Sequence, residues 1–348
     1  MSAGSVVESA EDADARYLKS ALATVAPGKP TGYLVFSRPG GELRVRLTVA
    51  PSLADHLLPA LERRLTEPAG RPTVSLHAWS GTTFPPPPWD PEDYMARDEI
   101  RGRTDGRFKA SYSVDARILS LLDRSAGSGI FWCPGPGSLR PWDVGAPLRV
   151  LLHWALAHHD LHVVHGATAG GPRGAVLFVG HGGTGKSTTT FACLDAGMQT
   201  VGDDYCAIDM AQDPPVAHAL FDVGKLAPDA LARFSWAQAH RRCDAEGKAQ
   251  VALSAARPGA VTDALPLRAI VLPRIAAETR TPVRVSQADA LRALAPSTLQ
   301  QTPASGRTEM EAMGRLVRAL PAYRLDVGPT AHDVSAAVAA LVDSEVPA

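Results

Sequence analysis

The chain of 348 residues is long enough for one large domain or for two ordinary ones, each with its own hydrophobic core. Its 35 basic and 36 acidic residues nearly balance, which argues against a nucleic-acid or membrane partner, since such partners usually require a basic excess. The four cysteines lack a Cys-x-x-Cys spacing and do not suggest a disulfide framework, and the acidic start of the chain has no apolar stretch, so we expect a cytoplasmic protein without a signal peptide.

The first part of the chain predicts a disordered tail followed by an α+β domain. Residues 1–15 are small, acidic and aperiodic, a composition typical of disorder. Beyond them, "TGYLVFSRPGGELRVRLTVAP" predicts two strands around a Pro-Gly-Gly turn, "SLADHLLPALERRL" predicts a helix, and "PTVSLHAWS" predicts another strand. We therefore predict an N-terminal α+β domain over residues 16–145.

A Gly- and Pro-rich segment at 133–147 marks the boundary with a second domain. Beyond it, apolar periodicity alternates between the helical and the strand type. The predicted helices cover 148–158, 187–196, 287–295 and 330–342, and the predicted strands are "AVLFV", a region near 199–209, "AIVLP", "VRV" and "YRLDV". This alternation indicates an α/β domain over residues 146–348.

The segment "GHGGTGKS" fits the pattern G-x-x-x-x-G-K-[ST] of a phosphate-binding loop. An apolar strand precedes it and a helix follows it, as the pattern requires. Its glycines permit a tight turn that points N–H groups at phosphate oxygens, Lys186 would reach the β- and γ-phosphates, and the Ser187 hydroxyl would bind Mg²⁺. The residues predicted to hold ATP are Gly180, His181, Gly182, Gly183, Thr184, Gly185, Lys186, Ser187 and Thr188.

Two adjacent carboxylates, Asp203 and Asp204 in "VGDDY", follow this loop after a single short helix. A Gly-Asp-Asp triplet in isolation would also be typical of a turn. Behind a phosphate loop, however, a pair lets one carboxylate hold a metal while the other accepts a proton from the attacking group. The pair therefore predicts phosphoryl transfer to an acceptor that needs a base beside the metal.

The stretches "GHGGTGKSTT", "VGDDY" and "VVHGATA" resemble the HPr kinase/phosphorylase and phosphoenolpyruvate carboxykinase superfamily. The resemblance covers roughly residues 148–342, and "SLRPWDVGAPLRVLLHWALAHHDLHVVHGA" is similar to the small HPr-kinase-like serine kinases, including those that tailor lasso peptides. It implies an α/β P-loop kinase core that uses ATP and Mg²⁺ to phosphorylate a hydroxyl, such as serine, on a peptide or small molecule. No Gly-Leu-Gly segment occurs, so the resemblance does not extend to phosphorylase activity or to HPr as a substrate.

Carried onto this sequence, the resemblance implies a role for each of the residues that match. Lys186 would contact the phosphates, Ser187 and Asp204 would hold Mg²⁺, and Asp203 would be the catalytic base, with His165 nearby. The division of labour between the two aspartates stays open.

Three further basic residues, Lys225, Lys248 and Arg268, are candidates for binding phosphate or substrate, with a solvated surface position as the alternative.

Aromatic residues in the first domain, including Trp89 and Tyr94, predict one wall of a cleft that selects the acceptor, with a purely structural cap as the alternative. Five histidines between residues 153 and 165 have no cysteine or suitably spaced carboxylate beside them, so we expect no zinc site.

Two other functions remain open from the sequence: a nucleotide-gated binding protein, and a carboxykinase-like lyase that would form phosphoenolpyruvate from oxaloacetate. Formation of a homo-oligomer also stays open.

Overall fold

The computed structural model describes residues 9–24, 30–67, 69–84, 86–245 and 247–343, and in these ranges it shows a mixed α/β fold with three β-sheets. The elements of the first part are α1 (Ala10–Thr24), β1 (Gly32–Arg38), β2 (Gly41–Val49), α2 (Pro51–Leu57), β3 (Leu65–Thr66), β4 (Val74–Ser80), β5 (Phe108–Ser113), β6 (Ile118–Asp123) and β7 (Ser128–Cys133).

The seven strands of the first part form a single sheet in the order β3-β1-β2-β4-β7-β6-β5. Strand β4 runs parallel to both β2 and β7, and the remaining neighbours are antiparallel. The hairpin of β1 and β2 turns at Pro39 and Gly40, where Gly40 has a φ of 88°. The prediction of two strands around a Pro-Gly-Gly turn is therefore confirmed.

Two predictions in this part are wrong at their edges. Residues 10–15 are not disordered but form the first part of α1. The Ser9 hydroxyl accepts a hydrogen bond from the N–H of Asp12 at the start of this helix, and Tyr17 is buried. Residues 1–8 of the predicted tail lie outside the described residues. The helix expected over "SLADHLLPALERRL" ends as an α-helix at Leu57, shortly before Pro59, which cannot donate a helical hydrogen bond.

The second part of the chain follows in alternating helices and strands. Its elements are α3 (Pro141–Gly145), α4 (Arg149–Ala157), β8 (Leu161–His165), β9 (Ala167–Gly171), β10 (Gly174–Phe178), α5 (Lys186–Asp195), β11 (Tyr205–Asp209), β12 (Val216–Ala219), β13 (Gly224–Leu226), α6 (Pro228–Leu231), α7 (Ser235–Gln238), β14 (Arg241–Ala245), β15 (Lys248–Val251), α8 (Leu253–Ala256), β16 (Ala264–Ile275), β17 (Val283–Val285), α9 (Gln287–Gln301), α10 (Arg307–Ala319), β18 (Ala322–Val327) and α11 (Ala331–Asp343).

The larger sheet of this part has eight strands, and β10 lies within it. Strand β10 pairs in parallel with β16 and antiparallel with β9, while β12 pairs with the first residues of β16 and is followed in the sheet by β11 and β8. Strands β13, β15 and β14 form a small third sheet. The expected strand, glycine-rich loop and helix occur in order as β10, residues 179–185 and α5.

The two parts of the chain share one hydrophobic core. Leu34 and Val45 from the first sheet pack in the same buried cluster as Trp154, Leu161 and Leu220 from the second part. The boundary predicted at residue 145 runs through this cluster, because Ala146 and Leu148 belong to it as well. The two predicted domains are therefore joined by a continuous apolar interior.

Within the described ranges, no helix has the length and apolar character that crossing a membrane requires.

Candidate active site

The glycine-rich loop curls around the side chain of Lys186. Gly180, Gly183 and Gly185 have φ values of 139°, 87° and 104°, which residues other than glycine rarely adopt. The ammonium group of Lys186 donates to the carbonyl oxygens of Gly180 at 2.6 Å and His181 at 3.2 Å. The loop thus places a buried positive charge at the N-terminus of α5, an arrangement suited to an anion.

A pair of neighbouring strands brings His165 to Asp204. Strands β8 and β11 are antiparallel, and their register sets His165 opposite Tyr205, the residue after Asp204. The main-chain N–H of Gly166 donates to the carbonyl oxygen of Asp204 at 3.1 Å, and the Nε2 atom of His165 lies 3.1 Å from Asp204 Oδ1. The predicted proximity of His165 to the acidic pair therefore occurs in the structure.

Lys225 contacts both aspartates. Its ammonium group donates to Asp204 Oδ2 at 2.7 Å, and its main-chain N–H donates to Asp203 Oδ2 at 2.9 Å. Burial by itself would raise the pKa of Asp204, but the charge of Lys225 and the hydrogen bond from His165 hold that pKa well below its usual value. Asp204 is therefore an ionised carboxylate at neutral pH.

Asp203 has a different environment. Its side chain is buried, and burial raises its pKa to about 6 although Lys225 and Ser187 act in the opposite direction. Its Oδ1 atom is buried and has no hydrogen-bond partner in the described part of the chain. Because a buried carboxylate oxygen without a partner is costly, this atom is suited to a ligand that the protein alone does not supply.

This arrangement passes a simple test for Mg²⁺. The described residues contain no cluster of three or more histidine, cysteine, aspartate or glutamate side chains. Mg²⁺ on a nucleotide needs only one or two protein oxygens, because phosphates and water complete its octahedron. The partnerless Oδ1 of Asp203 and the adjacent hydroxyl of Ser187 provide such a pair.

Most of these groups line a cleft of about 730 Å³; the buried Asp203 is not among its lining residues. From the second part of the chain it is lined by the loop, α5, His165, Asp204 and Lys225. From the first part and the segment that follows it, the lining residues include Ser111, Ser113, Ser120, Phe131, Arg140 and Trp142. The cleft therefore lies between the first sheet and the glycine-rich loop.

The structure brings most of the predicted residues to the lining of this cleft; Gly180, His181, Thr184, Asp203 and Arg268 are not part of that lining. Lys248 is exposed on the lining, and its charge adds to the effect of burial in lowering the pKa of Lys186. Arg268 does not reach the cleft: it donates to the carbonyl oxygen of Arg173 at 3.0 Å, at the end of β10 opposite the loop. The structure therefore gives no support to the prediction that Arg268 binds phosphate or substrate, because β16 carries this residue to the end of β10 that is opposite the loop.

The aromatic side chains predicted to form the acceptor wall mostly face away from the cleft. Trp89 is buried and donates to Asp14 Oδ1 at 2.9 Å, and Tyr94 packs beside it. Together with Tyr17 of α1 they form a core on the outer face of the first sheet. The aromatic residues that line the cleft are Phe131, Trp142 and Tyr205.

Three residues of the site were not predicted from the sequence. Tyr205 follows the acidic pair directly and could have been found from the strand that begins there. Arg149 donates to its hydroxyl at 2.8 Å, and Gln301 contacts both Tyr205 and His165. No local signal marks Arg149 or Gln301, since only packing of α4 and α9 brings them to the site.

No model of a known protein family and no curated protein matches this chain. Among solved structures it is similar to the Hpr(Ser) kinase/phosphatase from Coxiella burnetii, with 12% identity and a TM-score of 0.29, over 52% of this chain and 93% of that chain. A similarity this low supports no conclusion about function, which must be inferred from the residues around the cleft.

Proposed function

We propose that this chain is an ATP- and Mg²⁺-dependent kinase that transfers the γ-phosphoryl group to a hydroxyl group, a serine of a peptide or an alcohol of a small molecule. The observation that carries this proposal is that Lys186 of the glycine-rich loop and the ionised Asp204 line the same cleft. Donor and acceptor groups can therefore meet between them. Tailoring of a peptide natural product is the setting that the sequence resemblance favours.

In this proposal the glycine-rich loop holds the donor. The N–H groups of the loop and of the first turn of α5 bind the phosphate oxygens. Lys186 exchanges its two carbonyl partners for the β- and γ-phosphates, and Lys248 adds positive charge from the rim of the cleft. Both lysines favour negative charge on the transferring group.

The roles of the aspartates are the reverse of those that the sequence resemblance implied. Ser187 and Asp203 would hold Mg²⁺, because Asp203 lies beside the loop hydroxyl and has the partnerless oxygen. When bound, the metal neutralises charge on the phosphates. Asp204 faces the open cleft, where an acceptor hydroxyl can approach.

Asp204 orients the acceptor hydroxyl and takes its proton. The new bond forms between the acceptor oxygen and the γ-phosphorus, the bond from that phosphorus to the β-γ bridging oxygen breaks, and ADP leaves. Phosphoryl transfer through a loose transition state does not require a strong base, so a carboxylate with a low pKa is sufficient. Positioning between the loop and Asp204 would supply most of the acceleration.

A transfer assay tests this proposal. The purified protein is incubated with MgCl₂, γ-labelled ATP and a panel of serine peptides, each matched to a peptide with alanine in place of serine. We expect label to appear on at least one serine peptide and not on its alanine counterpart. Nucleotide binding without transfer to any acceptor would favour a binding protein, and formation of phosphoenolpyruvate from oxaloacetate would favour the lyase.

A further inference from the structure

The two aspartates lie on a short segment, residues 201–204, that precedes β11 and belongs to no helix or strand. Main-chain N–H groups from β9 and from the residue before it hold two carbonyl groups of this segment. The N–H of Thr168 donates to the carbonyl oxygen of Gly202 at 2.9 Å, and the N–H of Gly166 donates to that of Asp204 at 3.1 Å. The N–H groups of Val201 and Gly202, in contrast, donate to side chains.

Two threonine hydroxyls accept these N–H groups. Val201 donates to Thr168 Oγ1 at 2.9 Å, and Gly202 donates to Thr200 Oγ1 at 3.0 Å. The Thr200 hydroxyl also lies 3.0 Å from the carbonyl oxygen of Gly202 and 3.0 Å from the Thr168 hydroxyl. Both threonines are completely buried. Without the hydroxyls, two main-chain N–H groups would be buried and unpaired, which folded proteins avoid.

The main chain at Gly202 has little freedom to move. A Cβ atom on Gly202 would lie 2.6 Å from the carbonyl oxygen of Tyr205, closer than real Cβ atoms approach, so the turn excludes a side chain at this position. Asp203 follows directly, and its Oδ2 atom accepts the main-chain N–H of Lys225 at 2.9 Å. A shift of the main chain at Gly202 would therefore also move the carboxylate of Asp203.

We infer that Thr168 and Thr200 are positioning residues, whose hydroxyls fix the main chain at Gly202 and so hold the partnerless Oδ1 of Asp203 where it can bind Mg²⁺. The inference rests on the proposed function, in which Asp203 and Ser187 hold the metal. Mg²⁺ demands nearly ideal octahedral geometry, so a displaced ligand oxygen weakens binding. Groups that orient a ligand from behind typically affect metal affinity or activity by about 10-fold to 100-fold.

The competing explanation is that the two threonines only fill space in the core. Two substitutions of Thr200 separate the explanations, because valine keeps the shape of threonine and loses the hydroxyl, whereas serine keeps the hydroxyl and loses the methyl group. If Thr200 only packs, Thr200→Ser should be the more damaging change. If its hydroxyl positions the segment, Thr200→Val should be the more damaging change and Thr200→Ser should restore the wild-type behaviour.

The experiment is a calorimetric titration of the full chain with ATP, once with MgCl₂ and once with EDTA. We expect Mg²⁺ to strengthen ATP binding by the wild type. In Thr200→Val, affinity in the presence of Mg²⁺ should fall by about 10-fold to 100-fold. Affinity in EDTA should stay close to that of the wild type, because the glycine-rich loop and Lys186 keep their groups. Thr200→Ser should bind ATP as the wild type does under both conditions.

Thr189 of α5 provides the matched control. It is completely buried, and its hydroxyl has no hydrogen-bond partner in the described part of the chain. Its main-chain N–H already donates to the carbonyl oxygen of Gly185 at 2.9 Å, so it offers no group to a phosphate. Thr189→Val makes the same chemical change as Thr200→Val without leaving a donor unpaired. We expect it to bind ATP as the wild type does, with and without Mg²⁺.

Hydrogen exchange gives a second readout that needs no ligand. Peptides covering residues 199–206 should exchange faster in Thr200→Val than in the wild type, Thr200→Ser or Thr189→Val, because the N–H of Gly202 has lost its acceptor. If Thr200→Val does not fold, Thr168→Val, which removes the acceptor of Val201 instead, undergoes the same measurements.

Three results would overturn the inference: a normal effect of Mg²⁺ in the valine variant, an equal loss in Thr200→Ser, or an equal loss in Thr189→Val. In each of these cases the proposed function would stand, since the wild type would still bind ATP more tightly with Mg²⁺. If Mg²⁺ does not strengthen ATP binding by the wild type, the proposed function fails. Faster exchange in the valine variant would then still support the hold of the hydroxyls on the segment.

Discussion

Lys225 and Asp204 form an ion pair in which the ammonium nitrogen lies 2.7 Å from Oδ2, and only 16% and 22% of the two side chains are exposed. This pair explains how a carboxylate inside the protein stays ionised. It also places a second cation beside the position where the γ-phosphoryl group would be transferred. In the proposed mechanism, Lys225 would therefore act both on the base and on the donor.

Replacing Lys225 tests this connection. We expect Lys225→Met to reduce transfer by about 10²–10³, the usual cost of one stabilising group at the transferring charge. Because Lys225 lowers the pKa of Asp204, its removal should raise that pKa. On acidification, Lys225→Met should therefore lose activity at a higher pH than the wild type does. A pH profile of kcat measures the shift. Lys225→Arg, which keeps the charge, should restore the wild-type position of the acid limb, and identical profiles for all three proteins would contradict the role of the pair.

The second prediction concerns the loop lysine. Lys186→Ala should lower the transfer rate by about 10²–10³, because a fixed positive charge is lost where phosphate charge shifts in the transition state. Arg268→Ala is the matched control, since it removes a basic side chain that the structure places away from the cleft. Steady-state kinetics with both variants should show the loss in Lys186→Ala alone. Near-normal transfer by Lys186→Ala would refute the assignment of the loop.

Substitutions of the two aspartates are expected to impair different properties, phosphoryl transfer in one case and nucleotide binding in the other. Asp204→Asn should abolish transfer yet retain Mg·ATP binding, because an amide cannot take the proton of the acceptor. Asp203→Asn should weaken nucleotide affinity and its dependence on Mg²⁺, because the partnerless carboxylate oxygen is lost. Titration calorimetry combined with the transfer assay separates the two. The opposite pattern would restore the roles that the sequence resemblance implied.

Selection of the acceptor is expected to depend on Arg140 at the edge of the first sheet. Arg140 donates to the hydroxyl of Ser113 at 2.6 Å and lies over the ring of Trp142, on the cleft wall opposite the loop. Arg140→Ala should raise KM for the best serine peptide of the panel and leave KM for ATP unchanged. The exposed Arg71, which does not line the cleft, provides the control Arg71→Ala. If Arg140→Ala changes neither KM value, this wall does not bind the acceptor.

A buried histidine between the two parts of the chain should make stability depend on pH. His218 packs edge-on against Phe36 at 5.8 Å, and its Nε2 has no hydrogen-bond partner within the described ranges. Burial lowers its pKa to about 4, with Arg64 and Arg38 acting in the same direction and Asp209 and Asp263 against it. The unfolded chain therefore takes up this proton near pH 6.5 and the folded chain only near pH 4, so stability is lost as pH falls through this window.

The loss amounts to about 3 kcal/mol for a shift of this size. Denaturant unfolding at a series of pH values measures it. In His218→Leu this part of the pH dependence should be absent. Equal slopes for the wild type and His218→Leu between pH 7 and pH 4 would show that His218 does not titrate in this way.

The glycine-rich loop and its flanking elements could be predicted from the sequence, because their geometry is local. Glycines at 180, 183 and 185 permit positive φ, apolar residues precede them in β10, and a helical pattern follows, so adjacent residues determine the turn. The β1–β2 hairpin was predictable for the same reason. Where local signals were weak the predictions failed, as for α1, for which burial of Tyr17 and Leu18 against the first sheet matters more than the acidic composition.

Only the tertiary structure decided which distant side chains act together. The register of β8 and β11 pairs His165 with Asp204, and the packing of α4 and α9 adds Arg149 and Gln301. The environments of Asp203 and Asp204 differ because one lies buried beside Ser187 and the other faces the cleft, although the two are neighbours in the sequence. Likewise, β16 carries Arg268 to the far end of the sheet, whereas β13 brings Lys225 to the acidic pair. Such contacts depend on strand register and on how the elements pack across a shared core, and neither is encoded in the pattern of adjacent residues.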